Sequence, residues 1–303
     1  MDGILPLYKE RGMTSNDAVF KCRKIFKTKK VGHSGTLDPN VDGVLPICIG
    51  KATKVVNYMM DSGKIYQGQI TLGFATTTED LDGEIIEETP LKTPFSSEEI
   101  TQAMQSLTGE MIQIPPMYSA VKVNGRRLYD YARCGDPVQR PQRKIYVEYY
   151  KQTKAPIFDE EQQQQTIFFE VACGRGTYIR TLAVDLGKKL GVAAVMSDLT
   201  RLKSGGFRIG QAVSLEQLAQ MSEEQLQTKL QPIEHALTDF TFYELDAKQW
   251  SFVKNGGFLS PKYVNSGQIV TKLALFYGGK VRCVYCYNEK KDRYQPEQMI
   301  DLT

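Results

Sequence analysis

Apolar residues recur along this chain with two periods. A spacing of three and four marks helices. Val19, Cys22 and Phe26 return on one face after Ser15, which predicts a helix capped by Ser15. Ser96 and Glu99 form a capping box, with Phe95 and Ile100 as the hydrophobic staple. Ile100, Ala103, Met104 and Leu107 are the buried stripe of that helix, which is expected to stop at Gly109. Ile179, Leu182, Ala183, Leu186 and Leu190 define another helix over about 177–191, and Ser214 with Gln217 opens a further one. Strand patterns fall at 65–72, 144–150 and 166–173. The run 152–165 is polar and ends in four consecutive glutamines, so a mobile surface loop is expected there. Helices and strands interleave without a βαβ rhythm, which predicts an α+β fold with a mixed β-sheet flanked by helices. The pattern changes near 235–240. A short helix capped by Asp246 and ended by Gly256 precedes strands at 268–277 and 280–287, joined by Gly278 and Gly279 as a hairpin turn. The expected domains are 1–238 and a small β-rich 239–303.

Composition narrows the class. Of 303 residues, 41% are hydrophobic and 24% charged, which excludes wholesale disorder, collagen and coiled coil. No apolar run approaches the ~20 residues of a membrane span. The first fifteen residues lack the basic start and apolar core of a signal peptide, so a cytoplasmic location is expected. The net charge of +3 says little, but its distribution says more. Residues 21–30 hold six basic residues and no acid. A second basic group comprises Lys122, Arg126, Arg127, Arg133, Arg140, Arg143 and Lys144, while Glu79, Asp80, Asp82, Glu84, Glu87 and Glu88 gather elsewhere. A segregated basic face suits a polyanion; a solvated surface is the plain alternative. The six cysteines are dispersed, and Cys283 and Cys286 are three apart in a strand-like run, hence on opposite faces. With only His33 and His235 besides, no metal site is expected. Neither nucleotide-cradling glycine motif is present.

The densest punctuation lies at 31–54, VGHSGTLDPNVDGVLPICIGKATK, where little regular structure is expected before Ala52. Glycine permits close backbone approach and proline stiffens the loop. Asp38 sits in its middle, between Leu37 and Pro39. From the residues alone it reads either as a turn aspartate bonded to its own backbone or as one carboxylate held in a single pose.

The spacing G-H-S-G-T-L-D-P-x-x-x-G-V-L-P-x-x-x-G-x-A-T-K resembles the TruB family of tRNA pseudouridine synthases. Further blocks follow in the family's order: Lys64-Ile-Tyr66, Thr76 to Gly83, Gln113-Ile-Pro-Pro through Lys122, Cys173-Gly-Arg-Gly-Thr-Tyr-Ile-Arg180, Leu199-Thr-Arg201 and Gly206-Phe207. The first block departs from the family's D-K-P-x-G-x-T-S, since Glu10 follows Lys9 where proline is usual. The resemblance covers about residues 3–207, and more weakly the PUA-like RNA-binding domain of bacterial members.

The resemblance implies an isomerase that converts uridine 55 in the T loop of tRNA to pseudouridine, without a cofactor. It implies Asp38 as catalytic carboxylate and Arg180 as its cation, although a positive charge in the first turn of a helix opposes the helix dipole. Tyr66 would lie against the target base; read bare, a strand tyrosine is half-buried core. Leu199 would wall the base. His33 would stack where the flipped nucleotide leaves a gap. Gly35, Thr36, Lys122, Arg126 and Tyr178 would complete the substrate site. A thumb-like RNA-binding segment is expected around 110–145, phosphate contacts along both basic runs, and the second domain on the acceptor arm. A monomer with no obligate protein partner is expected.

Overall fold

The computed structural model describes residues 1–264 and 269–302. Contacts group the chain into two compact units, drawn along other lines than the composition shift near 238. One comprises Met1–Asn40, Val44–Met60 and Gly205–Thr303; the other comprises Val41–Gly43 and Asp61–Ser204. Parallel and antiparallel pairs share a large sheet, and a four-stranded sheet is separate from it, which is the expected α+β class.

In the unit holding Asp61–Ser204, five strands run antiparallel in the order Gly109–Gln113, Arg143–Gln152, Gln164–Cys173, Lys64–Leu72 and Ala194–Ser204. Alternation along Lys64–Leu72 puts Tyr66, Gly68, Ile70 and Leu72 on one face, opposite Val171, Phe169, Ile167 and Gln165. That face is core: Ile70, Leu72, Ile167, Phe169 and Val171 are all fully buried. The helices Ser97–Gln105 and Ile179–Leu190 bury Ile100, Met104, Leu182, Ala183 and Leu186. Each large side chain so buried stabilises by about 1.5–3 kcal/mol. The Ser96–Glu99 capping box forms as expected, and Gly191 ends the second helix at a φ of +77°.

The segment 152–165 corrects the sequence expectation of a mobile loop. Ile157–Asp159 pairs antiparallel with Gln164, Gln165 and Thr166, and the Gln162 amide donates to Asp159 Oδ1 at 2.9 Å to close the turn. The side chains of Gln152 and Gln165 have backbone partners. Buried Gln165 accepts from the Phe95 amide and donates to the Phe95 carbonyl, both at 2.9 Å. Gln152 Nε2 donates to the Ser97 carbonyl at 2.7 Å. Hydropathy reads such amides as solvated; here they replace water with the chain itself.

In the other unit, Gly3–Lys9 pairs in parallel with Val213–Ser214. Val31–His33 pairs antiparallel with Asp42–Ile49, so the punctuated segment carries two strands after all. The apolar run Val44, Leu45, Ile47 and Ile49 is fully buried, and this burial outweighs the breaker residues around it. Ile4, Val44, Cys48, Val55 and Phe207 share a core with Ala274, Val281, Val284 and Ile300. The four-stranded sheet runs Thr241–Glu244, Lys272–Tyr277, Lys280–Asn288, Arg293–Met299. Its hairpin turn holds Gly278 and Gly279 at φ +63° and +72°, as a two-residue turn of this kind requires. The expected strand start at 268 lies outside the described residues. Among the described residues, no helix is long and apolar enough to cross a membrane.

Candidate active site

Asp38 is half-buried in the connection between Val31–His33 and Asp42–Ile49. Its neighbours are held from beneath. The helix Ser15–Ile25 is capped by Thr14, not Ser15: Thr14 and Asp17 form a reciprocal capping box. The Ser15 hydroxyl is therefore not the cap. It accepts from the Leu37 amide at 2.9 Å and donates to the Leu37 carbonyl at 3.1 Å. Lys9 is fully buried, and its ammonium donates to the carbonyls of Glu10 at 2.9 Å, Met13 at 2.7 Å and Pro39 at 3.1 Å. The Gly12 amide, at a φ of +81°, also donates to Pro39 at 3.0 Å. Residues on both sides of Asp38 are thus fixed through their backbone. The turn around Glu10, where the family's proline is missing, is laced by the Lys9 ammonium.

The same loop carries three other expected site residues. His33 ends its strand opposite Ile47 and is half-buried. Gly35 takes a φ of +109°, which a side chain would disfavour, and Thr36 is exposed.

In the unit of Asp61–Ser204, Tyr66 and Leu199 lie diagonally across adjacent strands, 7% and 6% exposed. Tyr66 stands opposite Val171 and Arg201; Leu199 stands opposite Gly68. Gly68 has no room for a side chain: a Cβ there would meet the Asp198 carbonyl, Leu199 and Phe169. Lys64 shares the Tyr66 face two residues earlier. Burial, reinforced by the Arg201 charge, pushes its ammonium down to about 8.

Arg180 is buried near the start of Ile179–Leu190. Its Nη1 donates to the Thr78 carbonyl and its Nη2 to the Tyr118 carbonyl, each at 3.0 Å. Its Nε faces Asp80 Oδ2 at 3.6 Å. These partners outweigh the unfavourable helix dipole. Glu79 and Asp80, which sequence grouped with acids away from the basic face, belong to this arginine's surroundings. Glu79 holds a φ of +65°. Burial pushes its carboxyl up, against a 2.7 Å bond from Thr181 and the charges of Arg180 and Arg140.

Tyr178 caps the same helix, and buried Gln113 grips its peptide by two hydrogen bonds. Further along, Lys122 pairs with Arg127 and Val123 with Arg126 in a small ladder. Lys122 is exposed. Arg126 is engaged within the segment, with Asp136, the Asp130 carbonyl and the Tyr131 ring 4.4 Å from its guanidinium. Among the described residues, no three His, Cys, Asp or Glu side chains group as metal ligands.

Lys9, Asp80 and Gln113 are supporting residues to which the sequence gave no role, and Ser15 was expected only as a helix cap. Lys9 was visible as a lone lysine in an apolar strand, and Gln113 as the first residue of its block.

Residues 23–179 match the TruB family pseudouridylate synthase N-terminal domain, and residues 180–238 match the tRNA pseudouridylate synthase B C-terminal domain. A tRNA pseudouridine synthase B of Ligilactobacillus salivarius is 63% identical over 305 residues, covering 100% of both chains. Another from Pediococcus pentosaceus is 56% identical over 301 residues, covering 99% of both. Among solved structures, a chain of an H/ACA RNP bound to a substrate RNA containing 2′-deoxyuridine superimposes with a TM-score of 0.72 at 23% identity, covering 99% of this chain and 85% of that one. A chain of a Cbf5-Nop10-Gar1 complex gives 0.71 at 25% identity, covering 99% and 84%. Fold and matched domains together define a pseudouridylate synthase, an isomerase. Within that class, the chain belongs to the TruB family.

Proposed function

We propose that this enzyme isomerises uridine 55 in the T loop of tRNA to pseudouridine, with Asp38 as the catalytic carboxylate. Relatives above half identity bear the name tRNA pseudouridine synthase B, which supports tRNA as substrate. The N1–C1′ bond of the uridine breaks, the base turns, and a C5–C1′ bond forms. The hydrogen on C5 leaves as a proton and N1 gains one, so the reaction is redox neutral and calls for no cofactor.

The observation that carries this reading is the anchoring of the Asp38 loop, by Ser15 on Leu37 and by Lys9 on Pro39. Preorganisation of this kind lowers the cost of bringing a reacting group to its target. Tyr66 stacks on the extruded base and offers its hydroxyl for proton transfer, with Leu199 as the apolar wall. Arg180 supplies the cation for the carboxylate. His33 fills the gap left in the T loop, and Gly35, Thr36 and Tyr178 line the nucleotide. Lys122 and Arg126 meet phosphates from the thumb segment, Arg126 by exchanging Asp136 for one. The C-terminal sheet contacts the acceptor arm, and the enzyme works in the cytoplasm as a monomer.

The test is turnover of unmodified tRNA and of an isolated T stem-loop, with the product base mapped. Pseudouridine at position 55 of both is expected. Modification elsewhere, or a requirement for a guide RNA or protein partner, would overturn the reading.

A further inference from the structure

The helix Ser15–Ile25 buries Ala18, Val19 and Cys22 on one face. The opposite stripe runs Asn16, Phe20, Arg23 and Lys24, with Lys21 at its edge and Lys27 just past the helix end, and all six are exposed. Phe20 is at the centre of this stripe, 55% exposed, and the Lys24 ammonium lies 4.7 Å from its ring centroid. At helical spacing the core positions are 18, 19 and 22, so the aromatic at 20 is not a displaced core residue. Acids offset only part of the stripe. Asp17 is held by Thr14 in the cap and feels the charge of Lys21. Glu223 pairs with Lys27, but both partners are largely exposed and such a pair exchanges readily.

The helix is also fixed relative to Asp38. Its first residue, Ser15, holds Leu37. At 1.5 Å per residue, Phe20 lies about 8 Å and Lys24 about 14 Å along the axis from that anchor. This is too far for the reacting uridine itself and within the span of the nucleotides beside it. An aromatic ring among lysines and arginines is the arrangement by which proteins hold unstacked bases on a positively charged surface.

We propose that the outward face of this helix is an RNA docking surface, on which Phe20 stacks an unpaired base of the substrate tRNA near the target uridine while Lys21, Arg23 and Lys24 hold the adjoining phosphates. The inference rests on the reading of tRNA as substrate. It adds a base contact where the sequence indicated phosphate contacts alone.

The test is binding of unmodified tRNA by the full-length enzyme across a potassium chloride series. The proteins are wild type, Phe20→Ala, Phe20→Leu, Phe20→Tyr and the double variant Lys21→Gln/Lys24→Gln. Phe20→Ala is expected to weaken binding about tenfold at every salt concentration, with the salt slope unchanged. Phe20→Tyr should bind within about twofold of wild type, because the ring is kept. Phe20→Leu should not, because it keeps only the apolar bulk. The double lysine variant should flatten the slope of log K against log salt by about one to two units. Wild-type affinity in Phe20→Ala, equal binding by Phe20→Leu and wild type, or an unchanged slope in the lysine variant would each overturn the proposal. Failure of wild type to bind tRNA at all would instead strike the reading of the substrate.

Discussion

Gln113 grips the peptide of Tyr178 from both sides: its Nε2 donates to the Tyr178 carbonyl at 3.1 Å, and its Oε1 accepts from the Tyr178 amide at 2.8 Å. One buried side chain thereby sets where the Ile179–Leu190 helix begins, and with it the position of Arg180. Gln113→Ala leaves a donor and an acceptor without partners, at about 1–3 kcal/mol each. Urea unfolding should show a loss of about 2–5 kcal/mol, and pseudouridine formation should fall with it. Gln113→Glu keeps the acceptor but sets a buried carboxylate against the Tyr178 carbonyl, so a loss at least as large is expected at neutral pH. A Gln113→Ala enzyme as stable as wild type would show that the clamp contributes nothing.

Asp38→Asn changes one oxygen for an amide nitrogen in a loop whose backbone bonds come from Lys9, Gly12 and Ser15. The loop should therefore keep its shape. Binding of tRNA is expected within a few fold of wild type, while release of tritium from uracil C5 of labelled T-loop RNA should cease. Turnover at an ordinary rate would remove Asp38 from the mechanism.

Lys9→Met keeps the aliphatic length in the Gly3–Lys9 strand and removes the ammonium. The Glu10, Met13 and Pro39 carbonyls lose a shared charged donor, which should destabilise the protein by about 2–4 kcal/mol. Pseudouridine formation should fall more than the unfolded fraction explains, because Pro39 adjoins Asp38. Comparing melting temperature with single-turnover rate separates the two effects. A rate that simply follows the folded fraction would assign Lys9 to stability alone.

Lys64 gives a pH signature. Its ammonium, pushed down to about 8 by burial and Arg201, titrates near the ordinary lysine value of ~10.4 once unfolded. Below the folded value both states carry the proton, and this group adds no pH dependence. Above it the unfolded state binds more protons, so the Lys64 contribution to stability rises with pH until about 10.4 and then levels off. The full difference is of order 3 kcal/mol. Unfolding free energies of wild type and Lys64→Met should therefore converge or cross as pH climbs from 8 to 10.4, with wild type gaining. Parallel curves across that window would contradict the burial of a charged Lys64.

Local rules carried far in this chain. The boxes at Ser96 and Ser214, the cap at Asp246 and the Gly278–Gly279 turn follow from a few adjacent residues, and each formed where expected. Rules that depend on distant partners were harder to apply. Thr14 and Ser15 are both good caps, and the choice between them was made by Leu37, more than twenty residues on. Gln165 reads as solvated until Phe95 is brought beside it. Asp80 reads as one acid in an acidic run until folding sets Arg180 against it. The family resemblance singled out Asp38, Tyr66, Arg180 and Leu199 as candidates, but it did not indicate the groups that hold them in place.

The Ser15 hydroxyl ties two events into one. Ser15 is the first residue of the helix and its hydroxyl holds the Leu37 amide, so fraying that displaces Ser15 releases that amide. Deuterium uptake at that single amide therefore reports, residue by residue, how often the platform beneath Asp38 opens, and offers a way to watch the loop breathe in the resting enzyme.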